Sequence, residues 1–333
     1  MPELLELTPE GLYCRAGDFH VDPWRPVPRA VVTHGHADHA RPGMGVVHAA
    51  EPGLGLLRWR LGTNQALQGH GYGTPFGLGD ARVSLHPAGH VLGSAQVRIE
   101  VDGRVWVVSG DYKRDEDPTC APFEVVPCDV FITEATFGLP VYRWRPASEV
   151  AAEIRAWWDA SAARGEAALL LCYALGKAQR ILAELARLPG GLNREVLLHG
   201  AMGPGVAIYR DAGVVLPPTR PLSEEARGKD LAGALVLAPP SAVGSPWMRR
   251  FKAVSVGFAS GWMQLRGNRR RRGVDRGFVV SDHADWDSLL RTCRATGARR
   301  VLATHGNTEA LVRVLRDEGL DAAALKTELG GEN

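Results

Sequence analysis

Four side chains that commonly ligate metal ions are concentrated in the stretch THGHADHA. They are His34, His36, Asp38 and His39, and they follow directly on the apolar run AVV. A hydrophobic core cannot hold such a cluster without polar partners, because burying unpaired polar groups is costly. Imidazole and carboxylate are the usual ligands of zinc and related divalent metals. The spacing therefore predicts a metal-binding loop at the end of a strand.

Four further segments place a histidine or an aspartate immediately after an apolar run. They are PAGHVLGS with His90, VVSGDYKRD with Asp111, SDHADW with His283 and ATHGN with His305. One such residue alone would usually cap a turn or complete a hydrogen bond. Five segments of this kind favour one shared site, since hydrolytic centres often use two metals that share a carboxylate.

The hydrophobic pattern indicates the elements that would position these residues. Up to about residue 135 it predicts short strands between Gly, Pro and Asp turns, at 30–33, 45–49, 81–87, 95–101, 104–110 and 129–134. The Asp-Gly between the strands at 95–101 and 104–110 predicts a hairpin.

From about Pro146 helical spacing alternates with strands, which favours parallel α/β units. The first helix, ASEVAAEIRAWWDASAARG, would bury Val150, Ile154, Trp157 and Trp158 on one face. The chain therefore divides into a β-rich part at 1–145, an inserted α/β part at 146–272, and a return to the first part at 273–333. The return would begin with the strand GFVVS and continue with a helix from about residue 285, the strand RRVLATHG and a last helix.

Composition places the chain among globular proteins. It has 333 residues, 45% apolar and 23% charged residues, and a net charge of +2. No run approaches the roughly 18 apolar residues of a membrane span, and the acidic N-terminal stretch does not resemble a signal peptide. The five cysteines form no CxxC pair, which is typical of reduced thiols. We therefore expect a cytoplasmic protein with no membrane partner.

The order H-x-H-x-D-H, then Gly-His, then Ser-Gly-Asp resembles the metallo-β-lactamase fold, a four-layer αββα sandwich. The motifs FITEATFG, SDHADW and ATHGN resemble the three additional motifs of the β-CASP nucleases. These proteins carry an α/β cap domain inserted into the sandwich, and 146–272 matches that position. More narrowly, FHVDPWRPV, THGHADHAR, EATFGLPVYRW and RGVDRGFVVSDHADW are similar to bacterial DNA-ligase-associated exonucleases.

The resemblance implies a site with two divalent metals, zinc by preference, although manganese is compatible with the same ligands. One metal would be held by His34, His36 and His90, and the other by Asp38, His39 and His305. Asp111 would bridge them, and a water between the metals would ionise and attack phosphorus in line. Asp38 and Asp111 are thereby catalytic residues as well as ligands.

Three residues outside the ligand set also take roles from the resemblance. His283 would protonate or hydrogen-bond the leaving oxygen, and Glu134 would hydrogen-bond His283 and keep it cationic. Asp22, in FHVDPW, would orient the metal-binding loop from behind. In the alternative without a catalytic role, Glu134 caps a turn, His283 is a hydrogen-bonded residue at a strand end, and Asp22 stabilises a tight turn.

The resemblance implies a hydrolase, specifically a metal-dependent nuclease that degrades single-stranded DNA or DNA ends in repair. An ATP-dependent DNA ligase and a helicase are the implied functional partners. His305 complicates this reading, because the RNA-processing members carry histidine there and the crosslink-repair DNA nucleases commonly carry valine. An RNA-processing ribonuclease therefore stays open. A small-molecule metallohydrolase and a non-catalytic nucleic-acid-binding relative are the weaker alternatives.

Nucleic-acid contacts are predicted at two basic segments. The run GNRRRRGVDR contains Arg269, Arg270, Arg271 and Arg272, which would bind backbone phosphates if it is more than a solvated loop. Lys113 and Arg114 follow Asp111 closely and are the second candidates.

Overall fold

The computed structural model describes residues 3–223, 225–265, 267 and 273–327. The arginine run at 269–272 lies outside these residues. The chain forms two compact units, one from Met1–Arg143 with Asp282–Asn333 and the other from Trp144–Ser281.

The described residues contain nineteen strands and six α-helices, so the predicted mixed α/β class is confirmed. The strands are β1 Glu6–Leu7, β2 Leu12–Cys14, β3 Phe19–Val21, β4 Arg29–Val31, β5 Val46–Ala50, β6 Ala66–His70, β7 Phe76–Leu78, β8 Ala81–Pro87, β9 Ala95–Val101, β10 Arg104–Val108, β11 Val130–Glu134, β12 Ala167–Leu171, β13 Val196–Leu198, β14 Thr219–Pro221, β15 Leu235–Ala238, β16 Val254–Ala259, β17 Arg276–Phe278, β18 Arg300–Thr304 and β19 Asp321–Ala324. The helices are α1 Leu54–Leu61, α2 Ala147–Ala163, α3 Lys177–Arg187, α4 Gly203–Asp211, α5 Trp286–Ala295 and α6 Thr308–Asp317.

The first unit contains two sheets. One has the order β1-β2-β3-β4-β5-β6 and the other β19-β18-β11-β10-β9-β8-β7. The predicted hairpin lies between β9 and β10, where Val101 pairs with Arg104. Its two turn residues, Asp102 and Gly103, have φ of 49° and 75°, the left-handed pair that a two-residue hairpin turn requires.

Side chains of both sheets share one apolar cluster, with Val21 and Val31 from the first sheet and Val97 and Ile132 from the second. The opposite face of the second sheet presents Phe131 to helices α5 and α6, because successive strand residues point to opposite faces. Helix α1 packs in a separate cluster with β4 and β5. These clusters support the predicted αββα sandwich, whose detailed layering stays a prediction.

The second unit is built on one sheet with the order β14-β13-β15-β12-β16-β17, in which all pairings are parallel. The predicted buried face of α2 is confirmed, since Val150, Ile154, Trp157 and Trp158 all lie in its core. The two tryptophans are therefore core residues. Identification of this unit as the β-CASP cap domain stays a prediction.

The predicted domain boundary at residue 273 is wrong. We expected the strand GFVVS to belong to the first part of the chain, but Gly277 pairs with Phe258 of β16 in the sheet of the second unit. The second unit consequently extends to Ser281. The first boundary, predicted at 145/146, lies at Arg143/Trp144. Among the described residues no helix is both long enough and apolar enough to cross a membrane.

Candidate metal centre

The predicted metal ligands all lie in the first unit, in segments that follow its strands. His34, His36, Asp38 and His39 follow β4, His90 lies between β8 and β9, Asp111 follows β10, and His305 follows β18. Strand ends fix such loops, since the backbone before each ligand is held by the sheet. At Gly110, with φ of 55°, a Cβ would lie 2.7 Å from the Thr33 side chain, so the strand end approaches the metal loop closely.

One half of the cluster consists of three imidazoles and a carboxylate. His36 Nδ1 lies 3.1 Å from His34 Nε2 and 3.0 Å from His90 Nε2. Asp111 Oδ2 lies 3.5 Å from His34 Nε2 and 3.8 Å from His90 Nε2. Four ligand atoms thus converge on one point, as tetrahedral zinc coordination requires.

The hydrogen bonds behind this half leave lone pairs on its inward-facing nitrogens. Thr33 Oγ1 donates its proton to Asp22 Oδ2 at 2.6 Å, so it can only accept from His34 Nδ1, which is 3.0 Å away. His90 Nδ1 donates to the Asp282 carbonyl at 2.8 Å. Burial lowers the pKa of His34 well below its ordinary value and that of His90 to about 3. Both rings are therefore neutral, with unprotonated Nε2 atoms suited to a metal.

The other half contains His39, His305 and the same aspartate. His39 Nε2 lies 3.4 Å from Asp111 Oδ2, and the candidate ligand atoms of these three residues lie within 4.8 Å of one another. Asp38 is more peripheral, with Oδ2 3.8 Å from His39 Nε2 and a side chain that is 31% exposed. Asp111 therefore contacts both halves, the position expected of a bridging ligand.

The outer nitrogen of His39 is bonded to Asp22, whose role in orienting the metal loop stays a prediction. His39 Nδ1 donates to Asp22 Oδ2 at 2.7 Å, and Asp22 Oδ1 accepts from the Thr33 amide at 2.8 Å. Burial opposes a charge on His39, but Asp111 and Asp22 raise its pKa well above the ordinary value. The two carboxylates thus favour a cation at His39 Nε2, which can be a proton or a metal ion.

Several buried polar atoms of the cluster lack hydrogen bonds. Within the described part of the chain, His39 Nε2, Asp111 Oδ1 and both ring nitrogens of His305 have no hydrogen-bond partner. Buried polar atoms are rarely left so, and a divalent cation between them would satisfy all three residues. The donor set fits zinc, which takes imidazole and carboxylate together.

The turn that carries His305 is held in an unusual conformation. His305 has φ of 59° and Gly306 has φ of 60°, both in the left-handed region. At Gly306 a Cβ would lie 2.5 Å from the Ala135 carbonyl oxygen, so only glycine fits there. A left-handed histidine is uncommon and is typical of a functional constraint.

Glu134 and His283 form a buried pair beside the cluster. His283 Nδ1 donates to Glu134 Oε2 at 2.9 Å, and the Tyr112 amide donates to Glu134 Oε1 at 2.7 Å. Burial raises the pKa of Glu134. The His283 ring lies 4.6 Å from the His90 ring, which places the pair against the first half of the cluster.

The predicted phosphate contacts next to Asp111 already have partners inside the first unit. Lys113 is buried, and its Nζ lies 2.7 Å from Asp115 Oδ2. The Arg114 guanidinium lies 5.3 Å from the centroid of the Phe123 ring. Both assignments stay predictions, as does that of the arginine run at 269–272.

Two residues of the centre were not singled out in the sequence. Thr33 joins Asp22 to His34, and the Asp282 carbonyl fixes the ring of His90. Each immediately precedes a predicted site residue, which is the only sequence signal either gives.

Comparison with known proteins gives the following similarities. No family model matches the chain. A probable DNA ligase of Opitutus terrae is 31% identical over 326 residues, which are 95% of this chain and 30% of that protein. Endoribonuclease ysh-1 of Neurospora crassa is 37% identical over 114 residues, 33% of this chain and 13% of the relative. This chain thus spans less than a third of the length of these curated relatives.

One solved structure resembles the fold across most of the chain. It is a protein of unknown function from Enterococcus faecalis V583, with a TM-score of 0.58 and 12% sequence identity, over 91% of this chain and 80% of that one. Its likeness concerns the fold alone. The sequence relatives alone confirm the resemblance stated from the motifs: the chain belongs to the β-CASP group of metallo-β-lactamase-fold nucleases and is related to ligase-associated proteins.

Proposed function

We propose that this protein hydrolyses phosphodiester bonds in DNA, as a metal-dependent exonuclease that acts on single strands or ends during repair. The observation that carries the proposal is the pair of candidate ligand groups that share Asp111, with a histidine–glutamate pair beside them. The pair does not belong to the proposed ligands. A proton donor for the leaving oxygen would be such an additional group.

The proposed ligands fall into two sets that share Asp111. His34, His36 and His90 would hold one cation, His39, Asp38 and His305 the other, and Asp111 would bind both. When bound, two divalent cations would supply a nucleophilic hydroxide and neutralise charge on the phosphate. Thr33 and the Asp282 carbonyl hold the outer nitrogens of His34 and His90, and Asp22 holds that of His39, so that Nε2 of each ring faces the proposed cations.

His283 is suited to deliver a proton to the leaving oxygen. Its Nδ1 is held by Glu134, and the two nitrogens of an imidazole lie on opposite sides of the ring. Nε2 therefore points away from the glutamate. The hydrogen bond fixes the ring orientation, and the carboxylate favours the charged imidazole that can give up a proton.

Similarity to a probable DNA ligase supports DNA as the substrate. The matching segment covers 95% of this chain but only 30% of that relative, so in the relative a segment similar to this chain belongs to a longer protein. We propose an ATP-dependent DNA ligase and a helicase as functional partners. The arginine run at 269–272 is proposed to bind the phosphate backbone.

RNA is the second candidate substrate, and two observations favour it. His305 lies in the cluster rather than elsewhere in the fold. Relatives that match about a third of the chain are endoribonucleases of Neurospora crassa and Aspergillus fumigatus.

The test uses matched single-stranded DNA and RNA, each labelled at the 5′ or the 3′ end, with zinc or manganese added. Degradation of DNA from one labelled end, absent in Asp111→Asn, is the expected result and gives the polarity. Cleavage of RNA with DNA spared would overturn the DNA assignment. Hydrolysis of thioesters or lactams with both nucleic acids intact would overturn the nuclease assignment.

A further inference from the structure

Helix α1 exposes an aromatic residue between two arginines. Leu56 and Leu57 of this helix are buried, whereas Arg58, Trp59 and Arg60 are exposed. The Trp59 side chain is 37% exposed. Arginines in a last turn are favoured by the helix dipole, but that effect does not account for an exposed tryptophan between them.

Both ends of α1 contact loops that carry the cluster. Before its first residue, Gly53 packs so closely on Gly93 that a Cβ on Gly93 would lie 2.1 Å from the Gly53 Cα, and Gly93 follows His90 by three residues. In its last turn, Arg60 Nε donates to the Gly35 carbonyl at 3.3 Å. Gly35 lies between His34 and His36, so both ends of α1 contact loops that carry predicted ligands.

The exposed group combines a ring face with positive charge. The Arg60 guanidinium lies 5.8 Å from the centroid of the Trp59 ring. A guanidinium has five N–H donors, and the bond to Gly35 uses one of them. Proteins that hold single strands combine aromatic platforms for bases with cations for phosphates, because every base has a π face.

We propose that Arg58, Trp59 and Arg60 form a track for single-stranded nucleic acid, which leads the strand to the cluster. A base stacks on Trp59, and Arg60 binds a backbone phosphate near the scissile one. This inference rests on the proposed nuclease function and adds a binding surface to it. Unlike Lys113, whose ammonium is bound to Asp115, these side chains are exposed.

The test measures binding of a fluorescent, hydrolysis-resistant phosphorothioate oligodeoxythymidylate by anisotropy over a range of KCl concentrations, with the matched ribo-oligonucleotide in parallel. Trp59→Ala is expected to weaken binding about tenfold, the scale of a lost stacking contact. Trp59→Phe keeps a ring and should stay close to wild type. Arg60→Ala should flatten the slope of log Kd against log salt by about 0.7, the value for one phosphate on a single strand.

Arg82→Ala is the matched control. This exposed arginine lies near the start of β8, far along the strand from His90, so its loss should leave the salt slope unchanged. Wild-type affinity and slope in both Trp59→Ala and Arg60→Ala would overturn the track. Loss of zinc from Arg60→Ala would show that Arg60 stabilises the metal-binding loop, and would overturn its assignment as a phosphate-binding residue.

Hydrolysis of bis(p-nitrophenyl) phosphate separates this inference from the function on which it rests. This small diester has no nucleobase, so its hydrolysis reports the metal centre without base stacking. If the metal-loaded wild type hydrolyses neither the diester nor an oligonucleotide, the proposed function fails. If the wild type is active and the helix variants bind normally, only the track fails.

Discussion

The two halves of the candidate metal centre are braced in different ways. In the half formed by His34, His36 and His90, the outer nitrogens of His34 and His90 contact neutral oxygens, those of the Thr33 hydroxyl and the Asp282 carbonyl. In the other half a carboxylate, that of Asp22, lies behind His39. Both kinds of acceptor fix the tautomer and the orientation of the ring, but only the carboxylate places a negative charge behind it.

Because of this difference, we expect the two halves to bind their cations with different affinities. The first half is set before metal binds, because three nitrogens already converge. The second half depends more on charge, since His305 makes no hydrogen bond through its ring within the described residues and Asp38 is partly exposed. We therefore expect the first half to bind zinc more tightly than the second.

Asp111→Asn should produce the largest effect, because this carboxylate contacts both halves. Its Oδ2 lies 3.4 Å from His39 Nε2 and 3.5 Å from His34 Nε2. Asparagine keeps the shape and removes the charge that screens two dications from each other. Cleavage should be abolished, and metal content measured by mass spectrometry should fall in both halves. A variant that retains both metals and activity would remove the bridging assignment.

His283→Ala should slow cleavage about a hundredfold or more, the usual scale for a lost general acid, without changing metal content. The reason is that His283 Nδ1 is bonded to Glu134, and although His283 lies close to His90 and Asp111, neither proposed ligand set includes it. Glu134→Gln should give a smaller loss, since the amide still accepts a hydrogen bond from His283. Loss of a metal from His283→Ala would place this residue among the ligands and contradict the division into two halves.

The sequence signal of the predicted ligands is local, and their assignment as ligands stays a prediction. Each predicted ligand lies shortly after an apolar run, and β4 and β10 end at Val31 and Val108, two residues before the ends that the hydrophobic pattern predicted. The braces could not be predicted in the same way. The Asp282 carbonyl accepts a hydrogen bond from His90, a residue 192 positions away in the sequence. No local sequence pattern predicts such a contact.

The error at the domain boundary has a similar physical cause. Residues 277–281 have the apolar character of a buried strand, and that character fits either sheet. Only the tertiary pairing determines which sheet this strand joins, and Gly277 pairs with Phe258 of β16. Likewise, the sequence shows Lys113 near a bridging aspartate but not that its ammonium lies against Asp115.

Asp22→Asn should affect the second half selectively. It removes the charge that His39 Nδ1 meets at 2.7 Å, and loss of such a partner typically costs 10- to 100-fold in metal affinity. A zinc titration against a chromophoric chelator should therefore show one unchanged and one weakened site. Asp18→Asn is the matched control, because Asp18 also has a positive φ but lies at the surface, bonded to the Tyr13 hydroxyl. Equal weakening of both sites would contradict the unequal bracing.

Thr33→Val should have the smallest effect and act mainly on the first half. Valine keeps the shape but removes the acceptor for His34 Nδ1, while the backbone amide of residue 33 still binds Asp22. The affinity of the first zinc should fall about tenfold, the lower end for a lost partner behind a ligand. Thr33→Ser restores the hydroxyl and should restore the affinity, which a purely steric role would not require. If valine and serine bind zinc equally well, the hydroxyl does not fix the His34 tautomer, and the contrast between the two halves reduces to the charge of Asp22.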